Sequence, residues 1–172
     1  MSLTIENAVG EVASVNVRKE LHGEDLRLAC DIRVAFKRDS GATGYDALAG
    51  AMLATGIVTD APVGTNDVED PTETLAALAG IAESLTFAAA WENHRVSIRQ
   101  GTRKVAILSH AKINKGKIDD GGVISVRIQS EVDRESVGRL AAALRESVSV
   151  DVSPAQTELD LAEPDDDETV AD

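Results

Sequence analysis

The residues with the most chemical potential in this chain are its bases. Between Asn93 and Ile118 lie Arg95, Arg99, Arg103, Lys104, Lys112, Lys115 and Lys117, with no acid among them. The whole chain has 30 acids against 17 bases, so a stretch this one-sided needs an explanation. A row of cations on strands and loops can follow a phosphate backbone, because each neutralised phosphate releases counterions. Trp91, immediately before the window, could stack a base. The plainer explanation is a solvated sheet face whose bases pair with Glu20, Glu24, Asp25 and Asp31 on a neighbouring hairpin.

A second set of residues lies at the C-terminus. Gln156-Thr157-Glu158-Leu159-Asp160-Leu161 is similar to the short motifs with which bacterial replication and repair proteins hold the sliding clamp. Gln156 would supply hydrogen bonds, and Leu159 and Leu161 would enter an apolar cleft. The plainer explanation is a solubilising tail with two incidental leucines. From Ser153 onward there are eight acids and no base, a composition expected of a disordered acidic tail. Such a tail could compete with nucleic acid for the chain's own bases. It lacks the terminal aromatic of cellular single-strand-binding proteins.

Catalytic patterns are missing. There is no GxGxxG after a strand, no phosphate-binding loop ending in Gly-Lys-Ser/Thr, no HExxH and no G-x-S-x-G. His22, His94 and His110 have no partner at metal-ligand spacing, so no cofactor or metal is expected. Asp119 and Asp120 precede Gly-Gly and form a turn more readily than an acid/base pair. The single Cys30 excludes an internal disulfide framework and falls on the apolar face of a strand pattern, as a small buried hydrophobe. Aromatic residues are only 2%, which argues against an aromatic-lined pocket.

These residues need a scaffold, and the apolar spacing describes one. Leu26, Leu28, Cys30, Ile32, Val34 and Phe36 alternate with Arg27, Ala29, Asp31, Arg33 and Ala35, the period of a half-buried antiparallel strand. A strand near 8–18 precedes it, joined through Gly23-Glu24-Asp25 as a hairpin. Tyr45, Leu48 and Met52 recur at helical spacing up to Gly56, residues 59–71 read as a loop, and Thr72 caps a second helix carrying Leu75, Leu78, Ala82 and Leu85. Short strands follow around Val96–Ile98, 105–111 and 124–132. Arg95 and Arg99 emerge on a polar face, Arg103 and Lys104 at a hairpin tip, and Lys115 and Lys117 flank Gly116 in a second loop. Asp133 caps a third helix with Val137, Leu140, Leu144 and Val148, and Val148, Val150 and Val152 alternate as a closing strand. The expected fold is α+β, a mainly antiparallel curled sheet or small barrel, OB-like among the alternatives, with about three helices. Residues 1–152 form the domain and 153–172 the tail.

Two segments, His22-Gly23-Glu24-Asp25 with Ala29-Cys30-Asp31-Ile32, and Gly121-Gly122-Val123 with Gly138-Arg139-Leu140, resemble a group of uncharacterised tailed-phage and prophage proteins. The resemblance implies a phage origin and no catalytic residues. The combined expectation is a non-enzymatic phage-type accessory protein of DNA replication or recombination. It would bind single-stranded DNA through the basic window, and its tail would recruit partners such as the clamp. The alternatives are an inhibitor or adaptor of a host protein, including DNA mimics, and a structural virion protein. Self-association is a further expectation. The N-terminus has no signal-peptide pattern and no run is long enough to span a bilayer, so a cytoplasmic protein without membrane contact is expected.

Overall fold

Valine, isoleucine and alanine at every second position can bury one face of a strand, and six such strands here bury theirs against one another by closing into a ring. The computed structural model describes residues 2–38, 43–55, 84–119 and 121–155. Its elements are β1 (Ile5–His22), β2 (Asp25–Phe36), α1 (Thr43–Thr55), β3 (Ser84–Thr86), β4 (Trp91–Gln100), β5 (Arg103–Asp119), β6 (Ile124–Glu131), α2 (Arg134–Ala142) and β7 (Ser147–Pro154). All ladders between these strands are antiparallel. β1 pairs with β2 and β7, β2 with β6, β6 with β5, β5 with β4, and β4 with β7. The short β3 adds to the end of β5, with Leu85 opposite Ile118.

The small-barrel expectation therefore holds, with a six-membered ring where an OB-type barrel has five strands. Inside it Val12, Cys30, Ile32, Val34, Val96, Ile98, Leu108, Ile118 and Ile124 are fully buried. The antiparallel order brings the start of β1, β4 and β6 and the end of β2, β5 and β7 to one mouth. There α1 buries Tyr45, Leu48, Ala49 and Met52, and Tyr45 Oη donates to Gly122 O at 2.6 Å. At the other mouth α2 buries Leu140. Its cap is Asp133, which accepts from Ser136 N at 2.7 Å as the sequence suggests.

Several expectations change. Leu85 belongs to β3 and not to a helix; the rest of the expected helix from Thr72 lies outside the described residues, as does the 59–71 loop. α2 ends at Ala142, because Arg145 takes a left-handed φ of 64° and turns the chain into β7, which claims Val148. β7 runs through Pro154, two residues past the expected domain boundary. Lys115, Gly116 and Lys117 lie within β5 and not in a loop. Gly116 is buried, and a Cβ there would stand 2.7 Å from Met52 Cε, so α1 approaches β5 through the space a side chain would fill.

Gly44 marks a tighter approach. A Cβ on it would lie 2.5 Å from Ala8 Cβ and 2.7 Å from Ala8 Cα, and backbone yields less readily than the end of a methionine. Gly44→Ala should therefore destabilise the barrel by about 1–3 kcal/mol through overpacking, despite alanine's better helix propensity. Gly116→Ala should cost less, since Met52 can rotate. Urea midpoints of the two variants give the comparison.

Candidate nucleic-acid interface

The bases of the 93–118 window divide between two walls of the barrel. Arg95 and Arg99 stand on the outer face of β4 beside β7, where Arg95 faces Ser153 and Arg99 faces Ser149. Lys104 is opposite Arg99, and Arg103 sits beside the β4–β5 turn. Lys112 and Lys117 lie on the far half of β5, opposite Gln129 and Ser125 of β6. Lys104 and Lys117 are separated by about 40 Å of strand at ~3.3 Å per residue. Arg99 is held by Asp151 at 2.5 Å and Lys112 by Glu92 at 2.5 Å. The window is thus not one track. Nor do its bases pair with Glu20, Glu24, Asp25 or Asp31, because the acids that reach them come from β4 and β7.

Trp91 is a correction of another kind. Its side chain is 1% exposed, opposite Ile113 in the core, so its ring cannot receive a base. Tyr45, Phe36 and Phe87 are buried as well. All four aromatic residues serve the interior, and stacking recognition has no platform on this surface.

A different basic face forms where β1, β2, β6 and β5 lie side by side. Strand register builds it in tiers. One tier runs Asn16, Asp31, Gln129, Lys112; the next runs Ser14, Arg33, Arg127, Asn114. Asp31 is the hub. It accepts from Arg18 at 2.6 Å, Arg127 at 2.5 Å and Gln129 at 3.0 Å, and Gln129 in turn accepts from Asn114 Nδ2 at 2.9 Å. Burial alone would push the Asp31 carboxyl up, but the hydrogen bonds from Arg18, Arg127 and Gln129 outweigh it and hold it at about 2.

Arg33 has no such compensation. It faces Arg127 directly across the β2–β6 ladder and makes no ion pair among the described residues. Like charges at this spacing are unfavourable, and Asp31 is already shared between Arg18 and Arg127. Lys112, paired with Glu92, and Lys117 lie on adjacent tiers, and Arg18 is paired with Glu20 as well as Asp31. Asn114 Oδ1 on the same wall is buried without a hydrogen-bond partner among the described residues.

Charge is segregated on a larger scale too. All 17 bases fall within the described residues, together with 14 of the 30 acids, a formal +3. The other 16 acids, with no base, belong to residues 39–42, 56–83, 120 and 156–172.

The remaining reactive residues have structural surroundings. His94 is buried; its Nε2 accepts from Leu3 N at 2.9 Å and its Nδ1–H donates to Glu92 O at 2.8 Å. Cys30 is fully buried, and burial pushes its thiol up to about 11. Among the described residues no three His, Cys, Asp or Glu side chains gather as metal ligands, and no helix is long and apolar enough to cross a membrane. Gln156, Leu159 and Leu161 lie outside the described residues. No family model, curated protein or solved structure matches the chain.

The depressed Asp31 pKa fixes a pH signature. A carboxylate held below its ordinary value of 3.8 stabilises the fold above that value and loses the contribution as pH falls from about 4 toward 2. Asp31→Asn should lower stability at neutral pH by about 1 kcal/mol, a figure discounted for solvent screening of an outer face. The gap between variant and parent should close as pH falls through that window. Denaturant titrations at a series of pH values measure it; a gap that stays constant to pH 2 contradicts the hub role.

Proposed function

We propose that this chain is a non-enzymatic accessory protein of DNA metabolism whose barrel holds single-stranded DNA by its sugar-phosphate backbone. The carrying observation is the Arg33–Arg127 pair, two cations set face to face on a wall where one carboxylate serves three donors. An approaching phosphate relieves that repulsion and accepts hydrogen bonds from both guanidiniums in charge-assisted geometry. Lys117 extends the path, and Arg18 and Lys112 join it by exchanging their carboxylate partners, Asp31 and Glu20 for the one and Glu92 for the other, for phosphate. With every aromatic residue inside the barrel, recognition is by charge and not by stacking, so it is insensitive to base sequence and steeply dependent on salt. The resemblance of the His22–Ile32 and Gly121–Leu140 segments to phage proteins supports the setting.

A second reading has its own observation. Leu21 and Leu26 face each other at the tip of the β1–β2 ribbon and are 73% and 60% exposed, a surface suited to a protein partner. Under that reading the chain is an adaptor or inhibitor of another protein, and Leu21→Ser with Leu26→Ser abolishes capture of a stoichiometric partner without touching the basic wall.

Fluorescence anisotropy with a labelled oligothymidine tests the first reading. Binding by the full chain at low salt should weaken linearly in log–log form as salt rises. Arg33→Glu should lower affinity by about tenfold or more and reduce the salt slope by roughly 0.7 for each phosphate left without its cation. Arg95→Glu, on the opposite wall, should change it far less. No binding at low salt, or equal weakening by both substitutions, rejects the assignment of this wall.

A further inference from the structure

Closure of the ring leaves strand edge without a neighbouring strand in places. On β5, residues ahead of Lys112 have β4 on one side and no β6 on the other. That flank is partly covered: Arg139 Nε donates to Val105 O at 2.9 Å and Ser130 Oγ to Ser109 O at 3.1 Å, beside a groove of about 650 Å³. The edge of β1 is barer. β7 pairs with it only over residues 5–11, and Val12 makes the last contacts on that side, to Leu144, Arg145 and Glu146. Over residues 14–22, β2 is its one strand neighbour among the described residues.

The turn decides which backbone groups line that edge. Gly23 has a φ of 66° and begins a two-residue turn, so His22 and Asp25 exchange the closing hydrogen bonds. Hydrogen-bonded and non-hydrogen-bonded pairs then alternate along the ladder, and Val15, Val17, Lys19 and Leu21 fall in the second set. The β2 side agrees: Leu28, opposite Lys19, turns its carbonyl away from β1 to accept from Val132 N at 2.9 Å. The N–H and C=O groups of those four β1 residues therefore point out from the ribbon, where an added strand meets them.

Their side chains share the face of the ribbon that continues the barrel interior, since Val15 is opposite Ile32 and Val17 opposite Cys30. Beyond the ring this face carries Val17, 36% exposed, and the Leu21–Leu26 pair at the tip. Lys19 stands between Val17 and Leu21, exposed, and makes no ion pair among the described residues. With Leu26, Leu28, Cys30 and Ile32 across from the four, the face has one base and no acid. On the other face Arg18 is engaged by Glu20 and Asp31, and Arg27 by Glu131 at 3.0 Å.

A second copy does not suit this edge. The antiparallel register that sets Val17 against Leu21 also sets Lys19 against Lys19, and the registers on either side set each lysine against an apolar residue. An inward-pointing lysine is one way an edge strand resists its own kind. It leaves the edge open to a strand of opposite charge.

We propose that residues 15–21 of β1 form a strand-addition site for an extended segment of another protein, one with an Asp or Glu flanked two residues away on each side by an apolar residue. Its backbone bonds to the outward groups of Val15, Val17, Lys19 and Leu21. Its carboxylate meets Lys19, and its apolar side chains cover Val17 and Leu21. The pattern is symmetric, so it suits either strand direction. The site rests on the reading of the leucine tip as a partner surface and adds the partner's chemistry; it lies on the opposite face of the sheet from Arg33 and Arg127.

Nuclear magnetic resonance on the isotope-labelled full chain tests this with two synthetic heptapeptides. One has Val, Glu and Leu at its second, fourth and sixth positions and Thr elsewhere; the other has Lys in place of Glu. The glutamate peptide should shift the amide resonances of Val15, Val17, Lys19 and Leu21 more than those of Asn16, Arg18 and Glu20. It should also bind about fivefold more tightly than the lysine peptide. Lys19→Glu, at an exposed position, should reverse the preference, with the rest of the amide spectrum unchanged as the sign of an intact fold. Equal affinity for the two peptides, or no shift of the four amides at millimolar peptide, overturns strand addition. Shifts of those amides when the chain alone is concentrated assign the edge to a second copy and overturn it as well. Either failure is distinct from failure of the leucine-tip reading, which partner capture with the Leu21→Ser, Leu26→Ser variant decides.

Discussion

The pairing of β5 with two neighbours in succession is the constraint on which the rest of this molecule depends. β5 closes the ring by taking β4 along its first half and β6 along its second. Closure removes the open edges that an antiparallel sheet of this size would otherwise present, and it turns the period of two into an inside and an outside. The apolar residues Val96, Ile98, Leu108 and Ile118 point in, while Arg95, Arg99, Lys112 and Lys117 point out. Because no single stretch of β5 has strands on both sides for long, its first half keeps a flank that α2 and two side-chain hydrogen bonds only partly cover. The groove is a direct consequence of how the ring closes.

The outer wall follows from the same register. Exposed ion pairs contribute little one by one, but a partly shielded carboxylate that accepts from three donors on the two neighbouring strands behaves differently. Asp31 fixes Arg18 and Arg127 against the sheet and links through Gln129 to Asn114, so four strands are tied on their outer side as the core ties them within. The arrangement neutralises two of the cations and leaves Arg33 without a counterion among the described residues. Opposite Arg33 the β2–β6 register places Arg127.

Much of the fold is legible in the sequence, and the limits are instructive. Alternation from Leu26 to Phe36, the turn at Gly23, the hairpin turn at Gly101 and the Asp133 cap are local signals, and each corresponds to an element found. Strand length is less visible. β5 continues through Lys115 and Lys117 because Gly116 lets Met52 pack on it, and those two residues are 64 positions apart in the chain. Trp91 has the sequence surroundings of a surface aromatic because Glu92 and Asn93 follow it, but the bulge at Asn93 turns it inward. The basic wall is invisible along the chain for a plainer reason. Arg33 and Arg127 are 94 residues apart, and only the β2–β6 register makes them neighbours; a window along the chain finds Arg95 and Lys112 together and separates what the barrel joins.

Placing every aromatic residue inside has a consequence for what the outside can do. A surface with charge and hydrogen bonds alone recognises partners over the range set by salt, about 8 Å under physiological conditions, and the Arg33–Arg127 pair lies well within that range. The chain's own acids are distributed differently from its bases. Sixteen of the 30 belong to residues outside the described ones, while every base is inside them. The net −13 of the whole chain therefore says little about the described residues, whose own formal charge is +3.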